Sequence, residues 1–535
     1  MKWAILTLIS ILICATCWQM IDWDASGNLI AHNYSVWGDW SAHFTFISAI
    51  RERGLGWISG NNPLFFGIPF QYPFLSHLIT AAFSLFTGTN VIQATLYSSL
   101  LLLFALPFMM NRFFQSLGLS TRQSILSTLL FLFIGGFQAF DSNLSSSDAL
   151  TNQFKSGSVF TQFILFELIP QRAFLFGLIL FLFGFTALIR RKNSSRWSAI
   201  LIAFLFALLS WTHLHSWMAM ALLLLVAFIY SLFFNRFASE RKYDQNKILK
   251  FGGLVALLSM PFLYFLLFRA GGRTAQGMEW SIWFPGWAQN SKSGLAEAID
   301  MNFVQFWIYN TGLFLPLVIF GAKVKARSSL IDISAITGVI LFVFSLLFNI
   351  QPYFYDNLKL MTYSFLFMSP MAALGIDYFF KSKKLIVIGI ALFLIQTYTA
   401  GHDYWFYLSQ NQSTVFLAKQ DFELAQKFKE LRRSPDSLVL VAPYHNHWVT
   451  TLTGNPVFMG YPGWLWTWGI NYRSRENEIA EILSGGPMSE SLLKKYPIEY
   501  VVVQDRDKLV NKDGVRFKPL LDSGPWHIFE VIRPN

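Results

Sequence analysis

Several residues in this 535-residue chain that are equipped for acid–base or anion chemistry stand at the edges of long apolar runs. Asp39 and His43 lie four apart in YSVWGDWSAHFTFISAIRERG, Tyr34 to Gly54. Helical spacing puts that carboxylate and imidazole on neighbouring turns of one side. Arg172 follows an apolar run in IPQRAF, Asp356 and Lys359 stand three apart in QPYFYDNLKLM, and His213 and His215 two apart in SWTHLHSW. A carboxylate so placed can take a hydroxyl proton. Fixed cations can hold a phosphate. Charges this close to hydrocarbon are expensive, and where they are kept they often serve a site.

Each of these residues also has a plainer role open to it. Asp39 follows Gly38 and could cap a helix. His43 could be a packed interfacial histidine. Arg172 could snorkel to headgroups. Asp356 and Lys359 could be a local ion pair, and His213 and His215 could be structural. Asp141 and Asp148, in DSNLSSSDAL, are weak candidates for a metal; the serine-rich segment reads as a solvated loop.

The elements that must carry these residues are written in the composition. The chain is 54% hydrophobic and 13% charged, with a mean hydropathy of +0.43, against roughly 25% charged in soluble domains. That identifies an integral membrane protein with several spans. A basic start and a long apolar run read as an uncleaved signal anchor. Cys14 and Cys17 both fall in that run, so neither can staple an external domain. Further apolar runs fall near 72–88, 91–111, 124–140, 173–190, 197–212, 215–235, 250–268, 302–322, 330–350, 360–380 and 385–400. Val159–Pro170 reads as a short or re-entrant helix, which makes twelve to thirteen transmembrane helices.

The net charge of +11 gathers in short loops such as Arg190–Arg196 and Lys381–Lys384. This is the positive-inside pattern, which sets topology and does not call for nucleic acid. It puts residues 21–71, 141–172, 212–216, 270–301, 351–359 and everything after 400 on the external face. Residues 1–400 then form the transmembrane domain. Its first external loop, 21–71, carries an interfacial helix over about 39–53, with Trp40, Phe44 and Ile47 as an apolar stripe.

From residue 401 charge returns and apolar runs shrink to strand length. Ser437–Tyr444, Ile498–Asp505 and Trp526–Ile532 read as strands, and residues 401–535 as a small external α/β domain. Tyr461, Trp464, Trp466 and Trp468 cluster there with His445, His447, Arg473 and Arg475. Such rings suit either docking onto the membrane body or stacking on a sugar. No phosphate-binding glycine loop follows a strand, so nucleotide hydrolysis is not expected.

The stretch GDW–SAHF–TFISAIRERG followed by NPLFFGIPFQYPFLSHLITAAFSLFTG resembles the start of the GT-C superfamily of multispanning glycosyltransferases. The resemblance covers residues 1–90 by motif and about 1–400 by architecture. It extends to the PQR at Arg172 and the DN-K at Asp356–Lys359. Some families of this superfamily have an Asp-Glu pair where this chain has Asp39-Trp40, so the second acid is missing. The resemblance implies an inverting transfer of a sugar from a polyprenyl-phosphate carrier to a lipid-linked or cell-envelope acceptor on the external face of a bacterial inner membrane. It implies Asp39 as base, with His43 supporting it, and Arg172 and Lys359 as phosphate contacts, with Asp356 beside them. His213, Tyr461, Trp464 and Arg473 are the candidate sugar or acceptor contacts. No cofactor is required by this reading, although a divalent metal is possible. The alternatives are a transporter or flippase of lipid-linked glycans, and a polymerase or ligase using diphosphate-linked glycans.

Overall fold

A computed structural model describes residues 2–140, 161–191, 195–234, 245–267, 281–282, 303–324, 327–349, 353–409, 413–507 and 517–532. In chain order its first helices are α1 (Lys2–Met20), α2 (Tyr34–Arg53), α3 (Leu75–Thr87), α4 (Val91–Ser116), α5 (Thr121–Leu132), α6 (Arg172–Arg190) and α7 (Arg196–Thr212). They are followed by α8 (Leu214–Phe234), α9 (Gln245–Leu267), α10 (Phe303–Thr311), α11 (Phe314–Ala322), α12 (Ser329–Leu347), α13 (Leu358–Phe380) and α14 (Ile386–Ser409).

Among the described residues, eight helices are long and apolar enough to cross a bilayer: α1, α4, α6, α8, α9, α12, α13 and α14. The protein is an integral membrane protein. The remaining apolar runs make shorter pieces. Helices α3 and α7 have 13 and 17 residues, and α10 and α11 meet at a 94° bend beside Gly312, whose φ is +57°. The run expected over 124–140 stops as a helix at Leu132. Just beyond it Gly136 lies against the 309–310 backbone, where a Cβ would come within 1.8 Å of the Tyr309 carbonyl oxygen. The chain there is shaped by a neighbour and not by hydropathy. Of Val159–Pro170, the described part holds a single buried π-turn, Ile164–Leu168.

Helix α13 is the buried axis of the bundle, packed by α11, α12 and α5. Close approach depends on glycine. A Cβ on Gly321 would lie 1.9 Å from the Met371 carbonyl oxygen, and one on Gly375 would lie 2.3 Å from that of Leu317.

The part outside the helix bundle draws on both ends of the chain. A hairpin of β1 (Ile21–Trp23) and β2 (Leu29–Ala31) is joined through β2 by β7 (Thr414–Leu417). Strands β3 (Asn61–Asn62) and β4 (Phe65–Pro69) pair in the first loop, and β5 (Ser281–Ile282) pairs with β6 (Phe348–Asn349). A four-stranded sheet has the order β10-β11-β9-β8, made from β8 (Leu438–Val441), β9 (Ile498–Gln504), β10 (Phe517–Ser523) and β11 (Trp526–Val531). Strands β8 and β9 run parallel. Helices α15 (Lys419–Leu431), α16 (Pro462–Thr467), α17 (Arg473–Ser484) and α18 (Ser489–Lys495) complete this part. Three of these strands occupy the runs that the sequence marks. Helix α14 passes through the composition change at 401 and ends at Ser409.

Helix α2 differs from the expected interfacial helix in start and setting. It begins at Tyr34, and the Asn33 side chain caps it by accepting from the Val36 amide at 2.9 Å. Asp39 is therefore in the second turn and is not the cap. Residues 42–50 are all buried, because α2 is wedged between α3 and the Val449–Thr453 turn of the C-terminal region. Ser48 donates to the Thr451 carbonyl, and Glu52 binds Lys429 at 2.7 Å and Arg432 at 2.8 Å. The stripe of Trp40, Phe44 and Ile47 faces protein, where lipid contact was expected.

Candidate active site

Where α2, the N-terminal ends of α6, α8 and α13, and the 461–470 segment meet, they surround a cavity of about 540 Å³. Asp39, His43, Asp356, Lys359, His213, Tyr461 and Trp464 all line it. These residues come from segments up to 425 positions apart (39 to 464), so only folding assembles them.

Asp39 is held from three sides. Its Oδ2 accepts from Gln171 Nε2 at 2.8 Å. The carbonyl of its neighbour Gly38 accepts from His445 Nε2 at 3.0 Å and Trp464 Nε1 at 3.2 Å. Its other neighbour, Trp40, donates from Nε1 to the Ile169 carbonyl at 3.1 Å. The carboxyl remains partly exposed towards the cavity. Burial raises its pKa from 3.8 to about 7; the positive charge of Lys359 opposes the rise, Asp356 adds to it, and the Gln171 hydrogen bond opposes it. Asp39 can therefore exchange a proton near neutrality, as a general base must.

Asp356 lies in the Phe354–Asn357 turn that leads into α13, and Lys359 in the first turn of that helix. Lys359 Nζ is 2.5 Å from Asp356 Oδ1, and both side chains are largely buried. The local ion pair and the place at the cavity thus coexist. His43 Nδ1 is 2.8 Å from His77 Nε2, and burial, followed by the charge of neighbouring groups, holds His43 well below its ordinary pKa. It is a neutral hydrogen-bonding group that braces the wall beside Asp39. His213 and His215 stack 5.2 Å apart across the α7–α8 junction. They share one cavity wall, although alternate positions on a helix would separate them. His213 Nδ1 also meets Ser216 Oγ at 2.7 Å.

Two expected contacts lie elsewhere. Arg172 does not line the cavity. It is fully buried, and its guanidinium bonds Ser99 and Thr80 at 2.9 Å and Ser98 at 2.6 Å, so it neither snorkels nor reaches the cavity. The hydroxyls of α3 and α4 capture it because its direction is fixed by the first turn of α6. Arg473 starts α17 on the exposed side. Asp141 and Asp148 lie outside the described residues. Among the described residues, no three His, Cys, Asp or Glu side chains are grouped as a metal site would need.

Sequence reasoning passed over Gln171, Glu167 and Tyr72, all of which line the cavity; His445, marked only as part of the aromatic cluster, lines it too. The signal for Glu167 was available: it is a single charge inside the apolar run FILFELIP. Gln171 was hidden by the arginine after it.

No protein-family model and no curated protein matches this chain. Solved structures do. The oligosaccharyltransferase of Archaeoglobus fulgidus, tethered to an acceptor peptide, matches with a TM-score of 0.57 at 10% identity, over 94% of this chain and 69% of that one. ArnT from Cupriavidus metallidurans, bound to undecaprenyl phosphate, matches with a TM-score of 0.52 at 12% identity, over 99% of this chain and 98% of that one. The arabinofuranosyltransferase AftD from Mycobacteria matches at 0.54 and 13% identity, over all of this chain but 40% of its own length. The chain has the GT-C fold. At such identities the likeness is one of fold, and it agrees with the resemblance carried by residues 1–90. Within this GT-C fold the cavity lies where the segment between α1 and α3, the helix bundle and the C-terminal region converge.

Proposed function

We propose that this GT-C-fold protein is a glycosyltransferase. It takes a sugar from a polyprenyl-phosphate carrier and moves it to a hydroxyl of a lipid-linked or cell-envelope acceptor, on the external face of a bacterial inner membrane. The observation that carries the reading is that Asp39 and Lys359 line one cavity. The solved neighbours add support: one is bound to undecaprenyl phosphate and another to a dolichol-phosphate and a peptide.

The reaction follows from these groups. Asp39 takes the proton of the acceptor hydroxyl as its oxygen bonds to the anomeric carbon. The bond from that carbon to the carrier phosphate breaks, and the phosphate leaves with the electron pair. Lys359 Nζ, steered by Asp356, stabilises the charge that develops on it. A single displacement of this kind inverts the anomeric centre. Arg172 supports the fold around α3, α4 and α6 and does not touch the donor. The reading gives the leaving-group charge to Lys359 and requires no metal.

The test is sugar transfer in proteoliposomes from a panel of polyprenyl-phosphate monosaccharides. Asp39→Asn keeps the size and the Gln171 contact but cannot accept the proton, so transfer should fall by about 10²-fold or more. Full activity in that variant would remove Asp39 from the chemistry.

A further inference from the structure

One buried acid in the cavity has no part in the reaction above. Glu167 is 6% exposed and lines the same cavity as Asp39 and Lys359. Its Oε2 has no hydrogen-bond partner. A buried carboxyl oxygen without a partner is expensive and needs an account. Its turn is rigid. It sits in the π-turn Ile164–Leu168, an irregularity that recurs at functional sites. The Glu167 carbonyl accepts from the Gln171 amide at 2.9 Å, and the Gln171 side chain holds Asp39. The acid that awaits a partner and the clamp on the base therefore belong to one local unit.

The chemistry of the missing partner can be narrowed. Burial raises the Glu167 pKa from 4.5 to about 8; the positive charge of Lys359 opposes the rise and Asp356 and Asp39 add to it, so the group is largely a neutral carboxyl near pH 7. The unmet demand is for a hydrogen-bond partner, not for a counter-ion. Aromatic side chains, among them Tyr72, Tyr353, Trp466 and Trp468, line the same cavity. A carboxyl beside aromatic faces suits a neutral polyhydroxylated ring, whose hydroxyls exchange hydrogen bonds with it while the ring's C–H face stacks. We infer that Glu167 is a substrate-binding carboxyl whose Oε2 hydrogen-bonds a sugar hydroxyl, forming a sugar subsite beside Asp39. This deepens the proposed function and rests on it for the sugar's origin, in the donor or in the acceptor.

The test reads binding, so it does not depend on turnover. Four tryptophans, Trp37, Trp464, Trp466 and Trp468, line the cavity, so a ligand there should quench their fluorescence. Purified full-length protein in nanodiscs is titrated with farnesyl-phosphate monosaccharides and with methyl glycosides. Wild type should bind at least one member. Glu167→Gln, which keeps shape but alters the hydrogen-bonding atoms, should weaken that binding by up to about tenfold, the range for a neutral hydrogen bond. Glu167→Asp, which keeps the carboxyl but withdraws it, should fall between them and guards against misfolding of the first variant. Single-deoxy analogues locate the hydroxyl: the analogue that lacks it should bind wild type and Glu167→Gln alike. A sensitive deoxy position on the phosphate-linked sugars places the subsite at the donor, and one on the methyl glycosides places it at the acceptor. Unchanged binding in Glu167→Gln, or no quenching of wild type by any member, overturns the inference. Failure of the transfer reaction itself is read separately, in the Asp39→Asn assay.

Discussion

Asp39 differs from a surface carboxylate in what surrounds it, and that difference has a sign. Its pKa moves from 3.8 to about 7, mainly through burial. The folded protein therefore keeps the proton over an interval in which an unfolded chain has released it. Ionisation withdraws stability as pH rises from about 4 to about 7, and the base becomes competent only as pH passes about 7. The proposed transfer should climb roughly tenfold per pH unit below that point and level off above it. A profile of kcat/KM that stays flat from pH 5.5 to 8 would exclude Asp39 as the titrating base. Gln171→Leu removes the hydrogen bond that favours the carboxylate, so the acid limb should move to higher pH. A merely structural glutamine would lower the plateau without moving the limb.

At the scale of elements, the membrane body depends on close backbone contact. Helices α11 and α13 touch where Gly321 and Gly375 leave no room for a side chain. Gly375→Leu should overpack this contact by more than one methylene, a change that typically destabilises by about 1–3 kcal/mol or more. Its melting temperature in detergent should fall, while Gly253→Leu should melt like wild type, since no atom lies within 4 Å of a Cβ placed on Gly253. Helix α2 shows how packing can override a local reading. Its stripe of Trp40, Phe44 and Ile47 reads as a lipid-facing surface, and it is buried within the protein instead.

Over the whole molecule, the C-terminal domain completes the site. His445 and Trp464 both donate to the carbonyl that precedes Asp39. Glu52 pairs with Lys429 and Arg432 at the far end of α2. The double variant His445→Ala, Trp464→Phe should therefore lower kcat by about tenfold or more, since small misplacements of catalytic groups carry such penalties. Its far-ultraviolet circular dichroism should stay unchanged. Wild-type kcat in that variant would make the domain a cover only.

Hydropathy and charge carried much of this in the sequence. A bilayer permits only internally bonded segments, so membrane class, the positions of the apolar helices and the strand runs of the C-terminal region were legible as composition. Asp39 and Lys359 stood out because ions beside hydrocarbon are rare. What sequence could not supply was direction. Arg172 and Gln171 are adjacent, yet one turns into the hydroxyls of Ser98, Ser99 and Thr80 and the other onto Asp39. Which neighbour meets which partner depends on helix rotation and on contacts between residues hundreds of positions apart. Those are set when the helices pack, and no local pattern in the chain encodes them.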